Sequence, residues 1–184
     1  MNWADGKCRC RWANPGNERY LTYHDKEWAV PVYEDGKLYE MLILESFQAG
    51  LSWECVLNKR KEFRLAFDNF DPDIVACYSE EKITALQKNP GIIRNKRKIL
   101  AAIKNTIVFK EIQKEYGSFS SYLWQWTKGE IVYEKGRTSS ELSDRISKDL
   151  KKRGMSFVGT TIIYAYLQAV GVIYSHEVGC YLEK

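Results

Sequence analysis

Apolar residues recur at helical spacing through most of this 184-residue chain, and this period constrains the fold more than any other feature. Between Lys37 and Gln48 the apolar positions follow the i, i+3, i+4 pattern of a helix with one buried face. The stretch from Asn95 to Tyr116 has the same period and predicts one long helix. No two segments alternate apolar and polar residues as paired strands do. The pattern therefore predicts an all-α fold of ten or so short helices. On the long helix, the residues predicted to face inward are Ile99, Ala102, Ile103 and Ile107.

Capping residues and glycines divide the chain into these helices. Ser52 and Ser79 are predicted N-caps, because a serine side chain accepts a hydrogen bond from the first turn of a helix. Gly154 ends a predicted helix near the C-terminus, and the polar segment 128–139 is a predicted exposed loop. The length suits a single domain over residues 1–184. Predicted helices run from Trp53 to Phe67, from Ser140 to Arg153 and from Thr160 to Val170.

Charge and cysteine content narrow the class of protein. Net charge is +4, with basic clusters at residues 59–64, 94–98 and 148–153, which raises the expectation of nucleic-acid binding only slightly. No run of about 18 apolar residues occurs, so we expect no membrane contact. Five cysteines and no apolar leader favour a cytoplasmic protein with reduced thiols. Cys55 and Cys77 lie in apolar helical segments and are predicted core residues.

The chain contains two histidines, and each has a cysteine partner near one end of the sequence. Cys10 precedes His24, and His176 lies four positions before Cys180, within reach across one helical turn. Four nitrogen and sulfur ligands suit a closed tetrahedral zinc site that would tie the two ends together. Spacing alone leaves two readings open: such a zinc site, or unrelated surface histidines and buried cysteines.

The second ligand pair also lies in a sequence that is similar to a metalloprotease motif. His176, Glu177 and Cys180 follow the order of H-E-x-x-H with cysteine in the last place, which makes a metallohydrolase a rival hypothesis. Gly179 weakens the helix that this motif requires. Cys8 is an alternative to the cysteine two positions further on as a metal ligand.

A short hairpin joins the last two predicted helices. Gly159 opens the second of them, and free backbone N–H groups at a helix start bind phosphate well. Lys152 and Arg153 precede the turn and suit the same anion. A helix-hairpin-helix element over about residues 141–171 is therefore a candidate DNA-binding site, with Gly159 and Thr160 as contact residues.

Six short motifs resemble the 3-methyladenine DNA glycosylase I family, in that family's order and across about residues 10 to 180. They are Tyr23-His24-Asp25, Glu27-Trp28, Leu44-Glu45, the run from Gln48 to Trp53, the run from Gly91 to Asn95, and the run from Phe157 to Thr161.

The resemblance implies a fold, an activity and a set of partners. The fold would be an all-α helix-hairpin-helix DNA glycosylase fold, with zinc held by Cys10, His24, His176 and Cys180. The activity would be base-excision repair: the enzyme flips 3-methyladenine out of alkylated double-stranded DNA and hydrolyses its N-glycosidic bond. Free 3-methyladenine would be the product, and the protein would act as a monomer.

The resemblance also implies a base pocket. It assigns Glu45 as the catalytic residue and Tyr23 and Trp53 as base-binding residues, and physical chemistry agrees, because aromatic faces attract a ring that methylation has made cationic. Glu45 would accept a hydrogen bond from the exocyclic amine. Near them, Trp12 and Tyr20 would complete the pocket. At the DNA, Leu51 would be the wedge that enters the stack beside Gln48.

The chain departs from related patterns at two places. Ala29 stands where the family has glycine, a change that matters only if this position needs a positive φ. The stretch Tyr174-Ser175-His176 contains no aspartate, whereas many related glycosylases carry a catalytic one there. A cationic purine is already a good leaving group, so we expect a monofunctional enzyme without strand cleavage. The main rival is a zinc-stapled DNA-binding module, which would have no need of the base pocket.

Overall fold

The protein is described by a computed structural model that covers residues 5–184, where ten α-helices and one pair of two-residue strands occur. None of the helices in this range is long and apolar enough to cross a membrane. The helices are α1 (Glu18–Lys26), α2 (Asp35–Gln48), α3 (Trp53–Asn58), α4 (Arg60–Ala66), α5 (Pro72–Val75), α6 (Glu80–Lys88), α7 (Lys96–Tyr116), α8 (Phe119–Trp124), α9 (Glu141–Lys152) and α10 (Thr160–Ala169); the strands are β1 (Val132–Tyr133) and β2 (Ile173–Tyr174).

Most helix boundaries lie where the capping residues predict them. The Ser52 side chain accepts a hydrogen bond from the Cys55 amide, and Ser79 caps α6 in the same way. The long helix α7 is confirmed: Asn95 caps its start, and Gly117 ends it with a φ of 81°. These caps satisfy backbone groups that the helix itself leaves without partners.

Helix α2 is the centre of the fold. Every residue from Leu38 to Phe47 is buried, because α3, α7 and α10 all pack against this helix. A helix enclosed in this way offers no solvent-exposed face for polar residues. Glu45 is therefore buried by the architecture itself, and only 2% of its surface remains exposed.

Three predictions are wrong: one long helix, one inward-facing residue and one pair of core cysteines. The predicted helix from Trp53 to Phe67 is divided at Lys59, whose ammonium reaches the carbonyl oxygens of Pro90 and Gly91 at 3.2 and 3.4 Å. Ile107 is 45% exposed, because the buried stripe of α7 passes through Thr106 and Phe109 on either side of it. Cys77 is exposed and Cys55 half-buried, so neither is a full core residue.

A short parallel strand pair also departs from the all-α prediction. Val132 pairs with Ile173, and Tyr133 pairs with Tyr174. Two residues per strand are too few to show the alternation that predicts strands. The pairing holds part of the polar segment 128–139 against the chain that follows α10.

Two backbone positions near α10 depend on glycine-like geometry. Ala29 has a φ of 63°, and its amide donates to the Gln168 carbonyl at 2.9 Å. The missing family glycine therefore does matter here, because an L side chain is strained in this region. Gly171 has a φ of 72°, and a Cβ atom there would lie 2.3 Å from the backbone of residues 30–31. Glycine is required at that close approach.

Candidate functional site

A cavity of about 230 Å³ lies where the buried end of α2 meets α1, α3 and α10. All five predicted pocket residues and Gln48 line it, although they come from three helices and the segment before α1. The lining residues are Trp12, Tyr20, Tyr23, Trp28, Glu45, Gln48, Trp53, Gly136, Arg137, Ala165, Gln168, Ser175 and Glu177.

Aromatic rings form one wall of this cavity. The ring centroids of Tyr23 and Trp53 lie 5.3 Å apart, and those of Trp12 and Tyr20 lie 5.3 Å apart. Tyr23 and Trp53 are both buried, so neither ring is free to leave the wall. Aromatic faces at such spacing bind flat groups, and they attract cationic ones most strongly.

Three buried polar atoms around the cavity have no hydrogen-bond partner among residues 5–184. They are Glu45 Oε2, Gln48 Oε1 and the indole nitrogen Nε1 of Trp53. Folded proteins rarely leave buried polar atoms unsatisfied, because each costs about 1–3 kcal/mol. Two acceptors and one donor that point to a shared cavity are the polar complement of a ligand that carries both kinds of group.

Burial also perturbs the acid at this site. Loss of solvent raises the pKa of Glu45 well above its usual range. No cation within the described residues forms an ion pair with it that would reverse this shift. A cationic ligand in the cavity would do so and would bind most tightly to the ionised carboxylate.

Beside the cavity, the four predicted metal ligands meet in one buried cluster. Their ligand atoms all lie within 4.8 Å of one another, which confirms that Cys10, His24, His176 and Cys180 form a candidate metal site. The sulfur–nitrogen distances are 3.5 Å for Cys10 to His176, 3.5 Å for Cys180 to His176 and 3.6 Å for Cys180 to His24. Zinc–sulfur and zinc–nitrogen bonds of about 2.3 and 2.0–2.1 Å at a tetrahedral angle give about 3.6 Å for this distance.

The surroundings of the cluster orient its ligands. His24 Nδ1 lies 2.8 Å from the Asp25 carboxylate, which leaves Nε2 facing the cysteines, and Arg9 holds that carboxylate at 2.7 Å. Burial raises the pKa of Cys10 to about 12 and lowers the pKa of His176 to about 4. Neutral histidine and a buried sulfur are what a metal cation requires, because the cation itself makes the thiol ionise.

The same cluster supports the aromatic wall of the cavity. Trp12 packs on His24 with ring centroids 5.2 Å apart, and Trp28 packs on His176 at 4.7 Å. Both tryptophans also line the cavity. The candidate metal cluster therefore lies behind the aromatic wall and supports it.

The hairpin between α9 and α10 is held in place by side chains from two helices. Asn105 on α7 bonds both the amide and the carbonyl of Ser156, at 2.8 and 2.9 Å. Ser143 on α9 bonds Thr160 at 2.8 Å. Gly159 is the N-cap of α10 and has no side chain to occupy the first N–H groups of the helix. Those groups remain suited to an anion, as the sequence predicts.

The structure separates the other predicted DNA contacts into two kinds. Leu51 is 42% exposed at the turn after α2, and Lys152 is exposed at the end of α9. Arg153 is different, because its guanidinium bonds Asp149 at 2.7 Å and Glu115 at 2.6 Å. The donors of Arg153 are engaged within the protein, so a phosphate contact through this residue is not favoured.

Sequence reasoning missed several residues that line the cavity. Trp28 lies in a motif that the sequence analysis noted but was given no role, and Gln168 lies on the apolar helix α10. Gly136 and Arg137 belong to the segment predicted as an exposed loop. The strand pair and the ion pair between Lys135 and Glu183 tie that segment to the end of the chain, and no local sequence signal shows such contacts.

A mostly helical fold with a pocket lined by aromatic rings and a buried carboxylate is typical of one class: the helical N-glycosylases that take a base into a pocket. The model of the family described as methyladenine glycosylase matches residues 12–183. This chain belongs to the methyladenine glycosylase family and is a glycosylase, a hydrolase of N-glycosyl bonds.

Individual relatives agree with that assignment. DNA-3-methyladenine glycosylase 1 of Escherichia coli is 42% identical over 178 residues, which covers 94% of this chain and 95% of the relative. A crystal structure of 3-methyladenine DNA glycosylase I superposes with a TM-score of 0.92 at 40% identity, covering 96% of this chain and all of the relative. A Staphylococcus aureus structure that concerns 3-methyladenine recognition by 3-methyladenine DNA glycosylase I has a TM-score of 0.90 at 31% identity, covering 94% and 95% of the two chains.

Proposed function

We propose that this chain is a monofunctional repair glycosylase that excises 3-methyladenine from alkylated double-stranded DNA and acts as a cytoplasmic monomer. One observation carries the proposal: three buried polar atoms that have no hydrogen-bond partner among residues 5–184 belong to residues that line a cavity with an aromatic wall. The named substrates of the relatives support the choice of base. None of the five cysteines is in a disulfide, in keeping with a reducing compartment.

Recognition in this proposal rests on charge and shape. Methylation at N3 makes adenine cationic, and the faces of Tyr23 and Trp53 attract a cation more than a neutral base. Glu45 accepts a hydrogen bond from the exocyclic amine, which supplies the partner that its carboxylate lacks in the free protein. The positive ring also favours the ionised form of Glu45, whose pKa burial raises in the free protein. Guanine bases have no amine at that edge and are disfavoured.

The chemical step is hydrolysis at the sugar. The C1′–N9 bond breaks, its electron pair goes to the base, and the base leaves as neutral 3-methyladenine. The oxygen of a water molecule adds to C1′, and the water loses one proton to solvent, which leaves a hydroxyl group on C1′. Because the cationic base leaves readily, the protein needs only to hold the flipped nucleotide and stabilise positive charge on the sugar. We assign the second task to the ionised Glu45, which lines the cavity.

The enzyme reaches its base through the hairpin and the turn after α2. Phosphate binds the N–H groups at Gly159 and Thr160, and Lys152 adds a longer-range attraction. Leu51 enters the stack from which the base has turned, and Gln48 lies beside it at the cavity. Arg153 is not part of this contact surface.

We also propose that the Cys10, His24, His176 and Cys180 cluster holds one structural zinc ion. The sulfur–nitrogen distances of 3.5–3.6 Å support this choice, as does the pairing of His24 with Asp25. Bound zinc would supply structural cross-linking and no position for substrate, because four protein ligands close its coordination. Glu177 accepts a hydrogen bond from the Arg11 amide at 2.7 Å and is therefore not a free base, which disfavours the metallohydrolase alternative.

The test of the proposal is the identity of the released base. Duplex DNA treated with a methylating agent is incubated with the protein, and free bases are separated by chromatography. We expect 3-methyladenine to be released well above 7-methylguanine. A gel that resolves broken strands should show intact DNA before alkali treatment, because the enzyme has no lyase step. Binding without any released base would instead favour the DNA-binding module.

A further inference from the structure

A buried lysine closes the C-terminal end of α2. Lys98 on α7 is only 6% exposed, and its ammonium Nζ donates to the carbonyl oxygens of Phe47 at 2.7 Å and Ala49 at 2.6 Å. The last carbonyl groups of a helix have no partner within the helix and form the negative end of its dipole. Lys98 therefore neutralises the end of the helix that carries Glu45.

The ammonium has no carboxylate partner among residues 5–184 and is held by these carbonyl groups. A buried cation without a counter-ion is costly, and loss of solvent lowers the pKa of Lys98 from its usual range. A neutral apolar residue at this position would avoid that cost. The presence of Lys98 instead indicates that the fold requires its two hydrogen bonds to the carbonyl groups.

The two acceptors lie on either side of Gln48, just before the turn that presents Leu51. The carbonyl of Gln48 itself accepts from the Leu51 amide at 2.6 Å. Three successive carbonyl groups, from residues 47 to 49, are thus each held by a donor. Gly50 then turns the chain with a φ of 76°. Lys98 therefore holds the backbone that leads into the turn from which the exposed Leu51 side chain projects.

Lys98 also touches the hairpin that contains the proposed phosphate site. Its Nζ atom lies 5.9 Å from the centre of the Phe157 ring, within the range of a cation–π contact. Phe157 has a φ of 57°, which marks a sharp local turn in the hairpin. One buried charge therefore contacts both surfaces that the proposed function brings to DNA.

We infer that Lys98 is a positioning residue, which sets the wedge turn at Gln48 to Leu51 relative to the hairpin so that both engage a flipped nucleotide together. This inference rests on the proposed function, and it assigns Lys98 no contact with the substrate. Misplacement of a substrate-positioning group by about 1 Å can lower a reaction rate by roughly two orders of magnitude.

The test compares variants at Lys98 in duplex DNA that carries a tetrahydrofuran analogue of an abasic site. The parent enzyme is expected to bind this duplex more tightly than intact duplex, because the wedge fills the gap in the stack. In Lys98→Met we expect that preference to fall by about tenfold or more. Lys98→Arg should restore most of it, since a guanidinium also donates to two carbonyl groups. Lys114→Met, at an exposed position on the same helix, controls for the lost charge.

Binding of free 3-methyladenine, followed by tryptophan fluorescence, separates positioning from collapse of the pocket. Lys98→Met should keep the parental affinity for the free base. Three results would overturn the inference. Lys98→Met could prefer the tetrahydrofuran duplex as strongly as the parent does, or it could lose affinity for the free base together with that preference. Lys98→Arg could also fail to restore the preference. If Lys98→Met does not fold, Lys98→Gln, which keeps a donor, takes its place. Release of 3-methyladenine by the parent enzyme tests the proposed function separately.

Discussion

Replacing Glu45 with glutamine should move stability and activity in opposite directions. The carboxyl group is buried at the cavity, and its Oε2 atom has no hydrogen-bond partner among residues 5–184. In the free protein this group therefore lowers the stability of the fold, whereas in the complex with substrate it would face a cationic ring. A residue kept only for folding would not show this combination, because its loss would lower stability as well.

The size of the stability change follows from the buried charge. An unpaired buried polar group costs about 1–3 kcal/mol, and an ionised group costs more. Glutamine keeps the shape and an unpaired polar group but carries no charge, so Glu45→Gln removes only the extra cost of the ionised form and should raise the free energy of unfolding by about 1–3 kcal/mol near neutral pH. For a chain of this length that is an increase in Tm of roughly 2–12 °C.

The pH dependence has a definite sign. Folding raises the pKa of Glu45, so the protonated carboxyl group is favoured in the native state. Its contribution is fully present below the unfolded pKa of about 4.3 and is lost as the pH rises toward the folded pKa. The advantage of Glu45→Gln should therefore be smallest near pH 4 and grow toward pH 8, as measured by thermal melts across that range.

Excision should change the other way. A hydrogen bond to a charged group contributes about 1.5–3 kcal/mol, so Glu45→Gln should release 3-methyladenine about 10 to 100 times more slowly in single-turnover assays. Parental excision by this variant would remove the carboxylate from the site. A lower Tm at pH 8 would refute the electrostatic reasoning, because it would mean that the ionised group stabilises the fold.

Further predictions concern the metal cluster, the hairpin and two backbone positions. Metal analysis of the parent should find one zinc ion per chain, and changing Cys10 and Cys180 together to serine should remove it and lower Tm more than it lowers the excision rate of the folded protein; no zinc in the parent, or zinc retained in the double variant, would contradict the ligand set. Lys152→Glu should weaken binding to any duplex and reduce the salt slope by about one, with excision of bound substrate little changed. Gly171→Ala should cost about 3 kcal/mol, because its Cβ would lie 2.3 Å from neighbouring backbone; an unchanged Tm would contradict that clash. Ala29→Gly should stabilise by about 0.5–1 kcal/mol, because φ is 63° there, and an unchanged or lower Tm would count against the strain.

The sequence predicted the helices with strong local signals and failed where tertiary contacts decide. Ser52 and Ser79 cap helices as predicted, since capping depends only on the next turn. The break at Lys59 has no such local signal, since neither glycine nor proline occurs between Trp53 and Phe67. The same holds for the pairing of Val132 with Ile173.

The candidate site shows the same division. Composition narrowed the metal cluster to two histidines and nearby cysteines but left Cys8 open against Cys10, and the family resemblance selected the four residues that the structure brings together. The pocket residues required a family resemblance, since one glutamate among helical residues is ordinarily a surface group. Arg137 and Ser175 line the cavity only because the strand pair and the end of α10 meet there, and Arg153 is occupied by ion pairs that span α7 and α9. Neither arrangement is local in sequence.

The most direct test of the account is the excision rate of Trp53→Ala relative to its affinity for plain duplex. The ring centroids of Trp53 and Tyr23 lie 5.3 Å apart at the pocket, whereas the proposed phosphate contacts to plain duplex lie outside it. Loss of stacking, about 1–3 kcal/mol, should slow release of 3-methyladenine about 5- to 150-fold and leave duplex affinity near the parental value. Parental excision in this variant, or equal loss of excision and duplex affinity, would contradict a base pocket at this cavity.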